Sequence, residues 1–388
     1  MKTYAIGGLL GVWAFAGMTA QAAENRPAWV TTEAGSPTGT YLVIDLTPNR
    51  IALAPQTESN VPPATTQGFV VSNLAAVPPG GWTDEYKTTK LVLRRIPAGT
   101  FLMGSPNDEL GRDADEAQHS VTITKDFYIG VFEVTLRQWE LVMGKPVPGH
   151  FLWPKGQDCH DPSPAERPAL HRRPVEQITF YEIRENPITD ARSANTKLTD
   201  GNKAQPSDDP DVDWPANSAV NPNSFFGKLR AKAMLAGLDL PTEAQWEYAC
   251  RAGTTTALNS GKALTMAQEC PNLAEVGCYL FNIGTSEGWW FKRWEPLGSV
   301  SAGSYAPNKW GLYDMHGNVW EWCLDWYAPL SAAPVVDPKG PATGQAHVLR
   351  GGSWEDRAKA CRAANRGVGG LPTRVNGLFG FRAAMTLP

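Results

Sequence analysis

Apolar residues along this chain alternate in short runs instead of recurring in long helical stripes. Lys90–Ile96 reads Lys-Leu-Val-Leu-Arg-Arg-Ile, and Pro97-Ala98 turns it into Gly99–Ser105. Val121–Thr124 and Phe127–Val134 follow the same pattern, so four strand segments are predicted within fifty residues. Thr135 then stands before an apolar stripe at Leu136, Trp139, Val142 and Met143, which predicts a capped helix. Ser224–Leu235 predicts a second helix. A third starts at Thr242, where Gln245 three residues on completes a capping box and Trp246 and Ala249 mark the inward face. Nearer the start, Tyr41–Leu46 and Arg50–Leu53 flank Pro48-Asn49, predicting a small hairpin, and Pro55–Gln67 reads as a linker.

The first residues carry a different signal. Lys2, the apolar run Ile6–Met18 and Ala20-Gln21-Ala22 have the order of a secretory signal peptide, expected to span residues 1–22. Residues 23–87 then form a small N-terminal β region with its linker, and 88–388 form the main domain. Within that domain 184–221 is polar throughout and reads as a surface insertion. No later run is long and apolar enough to span a membrane, so an exported protein, periplasmic or extracellular, is expected. A net charge of −4 with 19% charged residues offers no basic face for nucleic acid. Gly and Pro together number 69 and Trp 15, which favours a loop-rich α+β fold with indoles in its core. Six cysteines bound for an oxidising compartment suggest disulfides, with Cys270 and Cys278 the easiest local pair. His150, His160 and His171 lack metal-ligand spacing and read as surface residues.

The densest chemistry lies in Trp310–Tyr327, where Asp314 and Glu321 stand among four indoles with Gly317-Asn318 between them. A looped backbone there would bring both carboxylates and intervening carbonyls to one point, as calcium requires. The same acids would serve equally as hydrogen-bond acceptors inside a Trp-rich core.

Five motifs in order, Gly99–Ser105, Leu240–Arg251, Gly311–Trp322, Arg350–Trp354 and Gly380–Arg382, resemble the formylglycine-generating enzyme, or sulfatase-modifying factor, superfamily. The resemblance implies a C-type-lectin-like α+β fold from about Thr88 onward, with a structural calcium held by Asp314, Gly317, Val319 and Glu321. It places Ser353 and Trp320 in an oxygen and substrate pocket. Of the family's two copper-binding cysteines, one falls on Cys361 and the other on Asp356, so the catalytic pair is incomplete and copper is not expected. Two functions follow as expectations. One is oxidative maturation of a partner protein or peptide, with Cys361 as the redox thiol beside Ser353 and Trp320. The other is non-enzymatic binding of a protein or ligand through the face from Glu355 to Asn376.

Overall fold

The computed structural model describes residues 39–52, 65–146, 167–185, 220–283 and 298–388. The leader, Cys159 with His150 and His160, the core of the 184–221 insertion and Trp289-Trp290 lie outside these residues. Ser36–Thr47 and Phe69–Pro388 form one compact unit. Met1–Gly35 and Pro48–Gly68 form another, most of it outside the described residues.

Among the described residues thirteen strands build three sheets. The largest runs in the order β2 (Thr65–Leu74), β1 (Tyr41–Ala52), β3 (Lys90–Ile96), β6 (Phe127–Gly130), β13 (Ala384–Thr386) and β7 (Leu238–Asp239). The second is β11 (Arg366–Gly370), β10 (His347–Arg350), β8 (Trp320–Trp326) and β12 (Phe379–Gly380). The third is β4 (Gly99–Met103), β5 (His119–Ile123) and β9 (Val335–Val336). The strands are short and joined by long loops. This is the mixed α+β, lectin-like architecture that the resemblance implies.

One expectation is corrected. Pro48-Asn49 makes no hairpin, because β1 continues unbroken from Tyr41 to Ala52. A two-residue hairpin needs positive φ at its turn, which proline at the first position forbids. Tyr41–Asp45 pair instead with Lys90–Arg94 of β3.

The three predicted helices form at Leu136–Met143, Phe225–Ala233 and Glu243–Arg251. Thr135 and Thr242 each accept from a backbone N–H three residues on while the facing glutamine returns the bond, so both capping boxes are present. The first two helices pack together through stacked Trp139 and Phe225, with ring centres 5.4 Å apart. The third is buried on every face and leans on β4, β8 and β10 through Trp246, Tyr248 and Ala249. Trp139, Trp246, Trp322 and Trp326 are among the largest fully buried side chains, so indoles do fill much of the core. His347 is sandwiched between Phe180 and Trp326 at 3.6 and 3.7 Å, and burial pushes its pKa down to about 3. His171, expected at the surface, is half-buried beside Glu140.

The five described cysteines are all buried free thiols, so the local closure of Cys270 with Cys278 is not formed. Asp325 of β8 accepts the N–H of Glu243 at 2.7 Å and fastens the third helix to the second sheet. Burial, and then the neighbouring Glu243 carboxylate, push its pKa up to about 7.

Two measurements follow. Thr242→Ala should lower the unfolding free energy by about 1 kcal/mol in urea denaturation. Asp325 binds its proton more tightly folded than unfolded, so its contribution is complete below pH ~4 and is lost as pH rises to about 7. The stability difference favouring Asp325→Asn over the parent should therefore widen between pH 4 and 7, by at most about 1.4 kcal/mol per pH unit, and then level off.

Candidate functional site

Two groups of side chains meet where β8 enters from the Gly317-Asn318 turn. Asp314, Gly317 and Asn318 adopt φ of 55°, 77° and 62°, which folds the loop back on itself. A Cβ on Gly317 would lie 1.8 Å from the Cys278 carbonyl, so only glycine fits this strained position. Asn318 N–H then donates to that carbonyl at 2.8 Å.

The first group lies inside the turn. Glu321 lies close enough to Asp314 for its charge to act on it, and is itself engaged by an arginine. Its two oxygens are clamped by Arg382, from Nη2 at 2.5 Å and Nε at 2.6 Å, and the Trp246 indole N–H donates at 2.6 Å. Arg382 also donates to the Gly130 and Tyr313 carbonyls. Asp314 accepts from Gly303 N–H at 2.5 Å through one oxygen, and the other has no partner. Glu133 stands close by, unforeseen from the sequence. One of its oxygens takes the Asn318 amide at 2.8 Å and the other has no partner. Burial, followed by the charges of Asp314 and Glu321, drives the Glu133 pKa well up. Burial raises that of Asp314 to about 6. Of the expected calcium ligands, Glu321 carries the Arg382 fork and Asp314 keeps a free buried oxygen near the Glu133 carboxylate. Gly317 and Val319 flank Asn318 on the same turn. Among the described residues no three His, Cys, Asp or Glu side chains converge as a metal cage. Hard oxygen chemistry fits this pocket only if neutral oxygens join Glu133 and Asp314.

The second group lies just beyond, after Arg350-Gly-Gly-Ser. Ser353 is fully buried and Trp320 is 9% exposed. Both turn to Asp356, whose Oδ2 takes the Trp320 indole N–H at 2.8 Å, the Ser353 hydroxyl at 2.5 Å and the Ser353 N–H at 3.0 Å. Cys361 is fully buried on the 3₁₀ turn Ala358–Cys361, its sulfur 3.9 Å from the Ser353 carbonyl. Gly352, at φ 76°, backs directly onto it: an added Cβ would be 2.6 Å from that sulfur. Burial, and then the charge of Asp356, push the Cys361 thiol well up, so a thiolate is disfavoured there. The structure thus brings Trp320 and Ser353 together through Asp356 and keeps Cys361 beneath them. A soft copper(I) ion would find one cysteine and one hard carboxylate at the two matching positions, a donor set that does not suit it.

Around both groups runs a set of buried ion pairs that explains the arginines of the C-terminal motifs. Arg350 pairs with Glu247, Arg362 with Glu116 and Glu109, and Arg366 with Glu243. His316 donates from Nδ1 to the Cys361 carbonyl and accepts the Asn259 N–H at Nε2. Its pKa falls to about 4 through burial, so it is a neutral strut.

A family model described as a sulfatase-modifying factor enzyme 1-like domain matches residues 83–387. The formylglycine-generating enzyme of Streptomyces coelicolor is 39% identical over 164 residues, 40% of this chain and 48% of that enzyme. The chain thus spans about half of that relative. The Bos taurus formylglycine-generating enzyme is 28% identical over 304 residues, 76% of this chain and 74% of its own. Treponema denticola variable protein 1 superposes with a TM-score of 0.50 at 26% identity, covering 76% of this chain and 95% of its own.

Arg382→Met should cost about 3–5 kcal/mol in guanidinium unfolding, because it strands the Glu321 carboxylate in a dry site.

Proposed function

Since the chain belongs to the sulfatase-modifying-factor family, we propose that it acts as an exported binding partner of a protein or peptide and carries out no thiol-based oxidation. The carrying observation is the Asp356 carboxylate, which ties Ser353 and Trp320 together above a sealed Cys361. Where two thiolates would be needed for copper(I), one residue is a hard carboxylate already holding three donors, and the other is a cysteine sealed beneath Gly352. Oxidative maturation through Cys361 would require the Gly352–Ser353 backbone to be lifted off the sulfur.

What remains open to solvent suits binding. Trp354 is half-buried, with its indole N–H on the Gly377 carbonyl, and Glu355 beside it is exposed. Arg374 stacks over Phe379 at 5.2 Å on the same Glu355–Asn376 stretch. An indole and a guanidinium are the residue types that most often anchor a partner. Export is inferred from the leader at residues 1–22. No helix among the described residues is long and apolar enough to cross a membrane.

The test supplies copper(I) and oxygen to the purified chain with a cysteine peptide from a sulfatase, and reads aldehyde by mass. No conversion is expected, and a photo-crosslinker replacing Glu355 should trap a discrete partner in the export compartment, with the adduct lost in Trp354→Ala. Aldehyde formation that disappears in Cys361→Ser would overturn the proposal.

A further inference from the structure

A cleft of about 390 Å³ opens at the outer edge of the largest sheet, where β7 leads into the third helix. That volume is enough for a small organic ligand. Arg184, Arg230 and Lys339 line it, and among the described residues of its wall Asp239 is the sole acid. Both oxygens of that acid are taken. Oδ1 accepts from Arg184 Nε and from the Leu240 N–H, each at 2.9 Å, and Oδ2 accepts from Arg230 Nη2 at 3.0 Å. Arg230 Nε goes to the Leu238 carbonyl, which leaves Nη1 without a partner among the described residues. Lys339 is exposed and has no partner among them either. Burial lowers the Arg230 pKa, Asp239 pulls it back up, and the charge of Arg184 lowers it again, so the wall holds more positive charge than its own acid offsets.

Two hydroxyls line the same cleft. Thr242 accepts the Gln245 N–H and Thr386 accepts the Gln245 amide at 2.8 Å, so each keeps its own proton to donate. Leu240, Leu324 and Met385 make another part of the wall apolar. We propose that this cleft binds a small organic oxyanion, a carboxylate or a phosphate monoester carried on an apolar body. Arg230 and Lys339 meet its charge, the two threonine hydroxyls complete its hydrogen bonds, and the apolar side chains receive the body. Guanidinium and ammonium donors match such oxygens. A cation would meet positive charge and an acid already spent, and an uncharged ligand would forgo the charge-assisted bond from Arg230. None of these residues belongs to the Asp356 rim, so the inference stands whether or not that rim binds a partner.

The experiment is calorimetric titration of the purified chain with hexyl phosphate, hexanoate, inorganic phosphate and neutral hexanol. At least one hexyl anion should bind, one per chain, and the tighter of the two assigns the ligand to phosphate esters or to carboxylates. Inorganic phosphate should bind more weakly for want of an apolar body, and hexanol should give no heat of binding. Added salt should weaken the bound anion. Lys339→Glu changes an exposed residue and should cut affinity about fivefold, and Arg230→Gln should cut it about tenfold. Silence from both hexyl anions overturns the proposal, as does equal binding of hexanol or of inorganic phosphate, or an affinity unchanged in Lys339→Glu. If Arg230→Gln does not fold, Lys339→Glu decides alone.

Discussion

The fork of Arg382 on Glu321 is the contact on which the rest of the structure leans. It joins the last strand region of the chain to β8, and through the Trp246 indole it fixes the third helix as well. Arg382 extends the same grip to the Gly130 and Tyr313 carbonyls, so β6 and the stretch from Tyr313 to Glu321 converge on one guanidinium. An isolated charge at 0% exposure would be untenable. A bidentate pair whose remaining donors all find carbonyls is tolerable, because no polar atom of the fork is left dry.

The same solution recurs wherever a loop must be held without regular structure. Glu247 takes Arg251 and Arg350 together, and Glu116 takes Arg362 along with the Ser105 hydroxyl. Glu243 takes Arg366. In a fold with short strands and long connections, the backbone ladder cannot set the distances between elements, and planar guanidinium–carboxylate forks do so instead. Against this background the bare oxygens of Glu133 and Asp314 stand out. Every other buried acid named in the ion-pair set has its arginine, and these two do not.

Much of this was legible in the sequence where local rules decide. The capping boxes at Thr135 and Thr242, the β3 and β6 alternation and the burial of the indoles each follow from neighbours within a few residues. The hairpin across Pro48-Asn49 was misread because alternation alone does not say whether a strand ends, and here it runs on. At the site, the Gly317-Asn318 turn could be seen, since only those residue types accept its backbone. Which acid Arg382 would take could not. That choice rests on a partner 61 residues away, and spacing within Trp310–Tyr327 makes Asp314 and Glu321 look like a pair. Glu133 had a faint signal, an acid inside the apolar run Val131–Val134, where an uncompensated charge needs a reason. Likewise Asp356 was recognised as the wrong residue for copper, but its hold on Ser353 and Trp320 needed coordinates.

Asp356 also organises the wall on which the proposed loss of thiol chemistry rests. A thiolate at that position would present a soft, single acceptor. A carboxylate there gathers the indole N–H, the serine hydroxyl and the serine backbone N–H on one oxygen, turning groups that would otherwise face a substrate inward. The pocket wall becomes more rigid and less reactive in the same step. Cys361 then needs no access, and Gly352 can close over its sulfur with no side chain between them. Ser353 and Trp320 are accordingly held in place by the bonds they make to Asp356. In the proposed binding role, specificity is assigned to what stays outside that triad, the half-buried Trp354 and the exposed Glu355. These can vary without disturbing the Arg382 fork, because neither contributes to it.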